Sequence, residues 1–249
     1  MPRSATDMKI HWFIFFLLVA SLAYAQQYRP QQQGYKFEVT EWLERDAQGK
    51  AVSRADEYAG TLLLKGQAAL TRPAMQMELR GTTGEIVRLG DSTHFSLLHD
   101  RQVRLKKGTA LLYIPPNDSA FRVHGPTNVL TLHRSGTVML QATTNGSLKV
   151  IALHGNLHME LPTGSAELKP GQLYFIIPQS SILGKKLHVN LALLLKTSSL
   201  WTDFPPSLPT KRKIESAAFR QSFFTTRKTP LFVGDAKSSG DFDLLLVKP

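Results

Sequence analysis

The sequence predicts an all-β domain, arranged as a roll of two sheets or a short irregular β-solenoid, with one short helix towards its C-terminal side. Three observations predict it. First, Asn156–Leu161 alternates strictly, which puts Leu157, Met159 and Leu161 on one face of a strand and His158 and Glu160 on the other. Val138/Leu140/Ala142, Ala110/Leu112/Ile114 and Leu173/Phe175/Ile177 repeat that period. Second, Leu148–Leu153 carries apolar residues on both faces, the pattern of a strand covered on both sides. Third, glycine corners at Lys107-Gly108, Ser135-Gly136, Asn145-Gly146, His154-Gly155 and Pro170-Gly171 separate these segments, and their irregular spacing excludes an array of identical repeats.

Taken in chain order, the first 25 residues have the anatomy of a secretory signal peptide. Arg3 and Lys9 supply the basic end, Trp12–Ala20 is an apolar run too short to span a bilayer, and Ala23 and Ala25 are the small residues of a cleavage site before Gln26. Residues 26–36 are Gln-rich and without apolar period, a flexible lead-in. A β domain over 37–204 then opens with Phe37–Leu43, followed by Asp46–Lys50 as a hairpin turn. Asn190 is placed to cap a helix over Leu191–Lys196 running on towards Trp201, although the alternation of Leu187, Val189 and Leu191 also fits a strand. Residues 205–213, rich in Pro and basic side chains, read as a linker. The remaining tail, 214–249, carries two apolar patches, Phe223/Phe224 and Leu244–Val247.

The chain of 249 residues is long enough to bury a core without cross-links, and it contains no Cys, which excludes a disulfide framework, thiolate metal sites and a Cys nucleophile. Its formal charge is +11; loss of the signal segment removes Arg3, Lys9 and Asp7 and leaves +10. A protein so basic and exported would favour anionic glycan or lipid surfaces or acidic proteins, and nucleic acid is not expected as a partner.

The ordered segments between Gly84 and Pro178 resemble the FecR-type periplasmic domain. Gly84–Thr93 is similar to that family's opening strand and turn, with Gly-Asp-Ser at 90–92 in place of Asp-Gly-Ser. Val103–Ala110 resembles its next strand, with Thr109 where Glu is usual. Phe121-Arg122-Val123, Ser135–Leu140, Val150–Leu157 and Leu168–Gln172 follow in the family's order. The resemblance implies an extracytoplasmic, non-catalytic β domain, periplasmic or extracellular, that binds an envelope protein in signalling or assembly. Regulators of the family carry a cytoplasmic anti-sigma region before a membrane helix, and the short stretch before the apolar run here has no room for one. The family's hallmark positions are structural, so no catalytic residue is carried over.

No catalytic, cofactor or metal site emerges from the residues themselves. His154 and His158 have the spacing of a helical zinc pair, but along a strand four residues separate side chains by about 13 Å. The chain lacks a Gly-x-Ser-x-Gly nucleophile turn and a phosphate-cradling loop. Asp91, Ser92 and His94, triad residue types within one turn, fit turn chemistry better than convergent catalysis. Asp241 and Asp243 read as a solvated strand face. Asn117-Asp118-Ser119 and Asn145-Gly146-Ser147 read as turns. Arg101, Arg104, Lys106 and Lys107 form the candidate interaction surface, with an anionic polysaccharide or envelope polymer as the alternative ligand to a protein.

Overall fold

The computed structural model describes residues 34–117, 119–178, 183, 184, 186–206, 208–224, 231–233 and 245–247. The signal segment, most of the lead-in, Asp241 and Asp243 lie outside these residues. The tail is described by helix up to Phe224 and by a two-stranded pairing of Leu231–Val233 with Leu245–Val247.

Most strands from Phe37 onward fall into two sheets that share one long strand. The first sheet contains β1 (Phe37–Arg45), flanked by short strands β2 (Ala51–Ser53) and β3 (Leu62–Leu63), then β5 (Met75–Gly81), β6 (Ile86–Leu89), the second half of β8 (Gln102–Ile114), β11 (Gly136–Ala142), β12 (Leu148–His154), β15 (Gln172–Ile176) and β16 (Leu187–His188). The second contains β4 (Ala68–Leu70), β7 (His94–His99), the first half of β8, β9 (Phe121–His124), β10 (Val129–His133), β13 (Leu157–Leu161) and β14 (Gly164–Leu168). β8 pairs with β7 over residues 102–107 and, in parallel, with β9 over 102–104, then with β11 over 108–114 and with β6 over 110–113. The result is an irregular all-β arrangement in which two sheets are joined through a common strand.

Gly108 is where β8 changes sheets. Its φ is +88°, and a Cβ there would lie 2.6 Å from the Thr93 Cα and 2.2 Å from the Thr93 Oγ1. Thr93 cannot move aside cheaply, since its Oγ1 accepts from the Thr109 N–H at 3.1 Å and its own N–H donates to Thr71 Oγ1 at 2.8 Å. Gly108→Ala is therefore expected to cost about 2–4 kcal/mol, the sum of left-handed strain and overpacking, read as a lower denaturation midpoint at unchanged slope.

One hydrophobic core fills the space between the sheets, with Leu79, Leu112 and Val150 from the first facing Leu97, Val123 and Leu132 from the second. A second core lies on the opposite side of the first sheet, where Leu111, Met139 and Ile151 meet a helical layer. That layer explains why every residue of β11 is buried and why Leu148–Leu153 is apolar on both faces.

The helical layer is larger than the single short helix expected. It holds α2 (Leu191–Thr197), α3 (Ser199–Thr202) and α4 (Lys211–Phe224), while a four-residue turn, α1 (Ala55–Tyr58), lies beside β1. Asn190 Oδ1 accepts from the Leu193 N–H at 3.0 Å, the N-cap bond at the head of α2. Helix α4 begins inside the segment read as linker and occupies the start of the tail. Among its described side chains Ile214 and Ala218, one turn apart, are buried, and Phe204 and Leu208 of the Pro-rich stretch are buried as well. Gln221 ties α4 to α2 by accepting from the Leu191 N–H and donating to the Val189 carbonyl, both at 2.8 Å.

Candidate functional site

Alternation along the second sheet sends its even-numbered residues in β8 and β9 outward, because their odd-numbered neighbours Val103, Leu105, Phe121 and Val123 enter the core. Arg104 and Lys106 of β8 and Arg122 of β9 are exposed on that outer face. Register sets Arg104 beside His124 and Gln102 beside Arg122. Across β10, Val129 stands opposite His124 and Thr131 opposite Arg122. β13 completes the face, with Glu160 opposite Thr131 and His158 opposite His133.

Two adjoining grooves cross this surface. One, of about 470 Å³, is lined by Arg104, Lys106, His124 and the Gly125–Val129 turn. The other, of about 260 Å³, is lined by Gln102, Arg122, Thr131 and Glu160, and shares His124 and Val129 with the first. His124 is the hinge between them. Burial, then the positive charges of Arg104 and Arg122, lower its pKa, so its imidazole is held neutral further into the acid range than a free histidine. Its Nε2 is buried without a hydrogen-bond partner. At the far end the charge changes sign, where His133 Nε2 lies 2.8 Å from Glu160 Oε2 and Arg134 pairs with Glu167 at 3.7 Å.

Of the four cationic residues singled out from the sequence, Arg104, Lys106 and Lys107 are exposed, Lys107 at a bulge where β8 pairs with His94. Arg101 is not on this surface. It is 7% exposed, adopts a φ of 54° in the turn before β8, and aims its guanidinium inward. There it pairs with Glu85, donates to the Ser119 carbonyl at 3.1 Å and lies 5.6 Å from the centre of the Phe121 ring. The sequence offers Arg101 as part of the interaction surface; the turn takes it out of the strand and into the core.

Arg122, His124 and Asn128 are groove residues outside the four cations offered from the sequence as the interaction surface. The alternation in Phe121-Arg122-Val123-His124 carries a signal for the first two, whereas nothing in the sequence marks Asn128 as buried. His154 and His158 sit in different sheets, and His154 has a lowered pKa from burial and from Lys213. No group of three or more His, Cys, Asp or Glu able to hold a metal occurs among the described residues. Ser92 has a φ of 50° in the turn after β6. The side chains of Asn117 and Asn145 accept from the N–H groups two residues on, at 3.0 and 3.1 Å, which is turn chemistry.

No protein-family model matches this chain, and no curated protein matches it. Among solved structures it is similar to two crystal structures, at 1.65 and 2.50 Å resolution, of a proposed anti-sigma factor from Parabacteroides distasonis ATCC 8503. Each is 13% identical with a TM-score of 0.43, over 49% and 52% of this chain. The matched region spans 59% and 64% of those proteins. Among the described residues no helix is long and apolar enough to cross a membrane.

Proposed function

We propose that this protein is an exported, non-catalytic binding module of the bacterial envelope, whose FecR-like β domain recruits a partner protein in signalling or assembly. The observation that carries this reading is the free edge of the second sheet. β14 pairs with β13 and, among the described residues, with no strand on its other side. Gly164, Ser165 and Glu167 along it are exposed. An unpaired edge offers backbone donors and acceptors in a row, and a partner segment can add to the sheet through them. The segments that resemble the FecR-type domain support the same reading, since they coincide with the strands from β6 to β15 that build the two sheets around the shared β8.

The test is a photoactivatable crosslinker in place of Ser165 in the full chain, exposed to native envelope extract, with a matched probe at Val52 as the control. Expected is one envelope protein crosslinked in fixed ratio at Ser165 and absent at Val52, retained on the immobilised chain in high salt because backbone pairing is little screened. Crosslinking equal at both positions, or no protein captured, overturns the reading.

A further inference from the structure

The solvent side of the helical layer carries a groove of about 540 Å³. α2 forms one wall with Leu195 and Lys196, α4 the other with Glu215, Ala218 and Phe219, and Trp201 of α3 joins the lining. Phe219 is 65% exposed, more than any other large hydrophobic side chain among the described residues. A protruding aromatic ring beside an apolar hollow is a contiguous apolar patch, the mark of an association surface. Two opposite charges flank the hollow, Lys196 on α2 and Glu215 on α4, both exposed, and neither forms an ion pair with a described residue. Gln221 sets their level. It accepts from the Leu191 N–H at the head of α2, and both helices still line the groove at Lys196 and Glu215, so they run in opposite senses. Lys196 lies about a turn and a half past Leu191 and Glu215 about a turn and a half before Gln221, which puts the two charges level across the groove.

We propose that this face is the interface of a homodimer, in which a second copy of the chain packs its own groove against it about a two-fold axis running along the groove. Such a rotation lays the α4 wall of each copy on the α2 wall of the other. Phe219 of each copy then enters the hollow beside the partner's Leu195. Lys196 meets the partner's Glu215, and Glu215 meets the partner's Lys196. The occupant follows from what the face lacks: an apolar knob for the hollow, an acid opposite Lys196 and a base opposite Glu215. The rotated face supplies all three at matching positions, which is the self-complementarity that an isologous contact requires. A helix of unrelated sequence would fill the hollow and leave the charges to chance. One groove on each side is a small contact between two chains of charge +10, so the dimer belongs to the weak, reversible class. The surface lies behind the first sheet, away from the β14 edge of the second, and does not rest on the partner-protein reading.

Sedimentation equilibrium of the purified, exported chain should show monomer and dimer in exchange, with a dissociation constant of about 1–100 μM. Phe219→Asp should weaken the dimer about tenfold or more at an unchanged melting temperature, because the ring stands mostly in water in the monomer. Leu70→Asp, which alters another exposed apolar side chain on β4 of the second sheet, should leave association unchanged. Each charge contact occurs twice in a two-fold dimer, so Lys196→Glu alone and Glu215→Lys alone should each weaken it about tenfold. Mixing these two variants discriminates best. In equal amounts they complement each other at both contacts and should form heterodimers as tight as the dimer of the unaltered chain. No other occupant predicts that rescue: a helix from a different protein, or the chain's own residues beyond Phe224, would leave the purified protein monomeric. A monomer throughout that concentration range, unchanged association in Phe219→Asp, an equal loss in Leu70→Asp, or charge reversals without effect or without rescue in the mixture each overturns the proposal.

Discussion

Arg88→Ala is expected to cost about 3–5 kcal/mol of stability, because it would strip the buried Glu78 carboxylate of its nearer cation and leave the half-exposed Arg80, 3.5 Å away, beside it. Arg88 and Glu78 are 2% and 1% exposed, and Arg88 Nε donates to Glu78 Oε2 at 2.9 Å. The guanidinium also spans two layers. Its Nη1 donates to the Leu200 carbonyl at 3.0 Å and its Nη2 to the Pro205 carbonyl at 2.8 Å, while Phe204 packs against it with 4.8 Å between the guanidinium carbon and the ring centre. Burial lowers the Arg88 pKa and the Glu78 carboxylate opposes that shift, so the residue remains the positive clamp between β6 and the chain after α3. Two measurements check this. Chemical denaturation should show the stability loss, and hydrogen exchange should show it largest in 191–202, where the helical layer loses its tie. Arg88→Met combined with Glu78→Leu should lose clearly less than Arg88→Ala, since no charge is then stranded. A loss below about 1 kcal/mol for Arg88→Ala would mean that water reaches Glu78 freely.

Arg101→Ala is expected to fall in the same range, about 3–5 kcal/mol, for the same reason at the start of β6, where Glu85 stands three residues before Arg88. Glu85 is fully buried, one of its oxygens already lacks a partner, and Arg101 is the cation that faces it. Arg101→Lys should recover only part of the loss, because an ammonium cannot reach Glu85 and the Ser119 and Ala120 carbonyls with one planar fork. Adding Glu85→Gln to Arg101→Ala should restore stability by removing the orphaned charge, which denaturation of the double variant would read directly. Because the side chain is internal, any binding defect in an Arg101 variant would follow its unfolding rather than a lost surface contact.

The strands were legible where one face of a sheet is wet. Leu157, Met159 and Leu161 alternate with His158 and Glu160, and the structure puts the first three in the core and leaves the other two at the surface. The hairpin at Asp46–Lys50 was legible too, since Asp46 Oδ1 accepts from the Gln48 and Lys50 N–H groups and β1 meets β2 across the turn. Helix α4 was not, because among its described side chains the buried Ile214 and Ala218 are interrupted by basic and polar residues and by the exposed Phe219, which leaves little period to find. The Pro-rich stretch before it looked like a linker by composition, yet Phe204 and Leu208 are held against the first sheet.

The sequence by itself determined the β class, the corner at Gly108 and the coverage of β12 on both faces, because side-chain period and φ preference are local properties of the backbone. Only the tertiary structure decided which cations are surface and which are core. Arg101 and Arg104 are three residues apart and chemically identical, but one turn inward places the first against Glu85 while the strand pleat sends the second to solvent. It also brought Arg104, His124 and Asn128 to one groove from β8 and from the turn between β9 and β10, through pairings whose partners lie about twenty residues apart. Such convergence depends on strand register, and register is fixed by the packing of both sheets together rather than by any one segment.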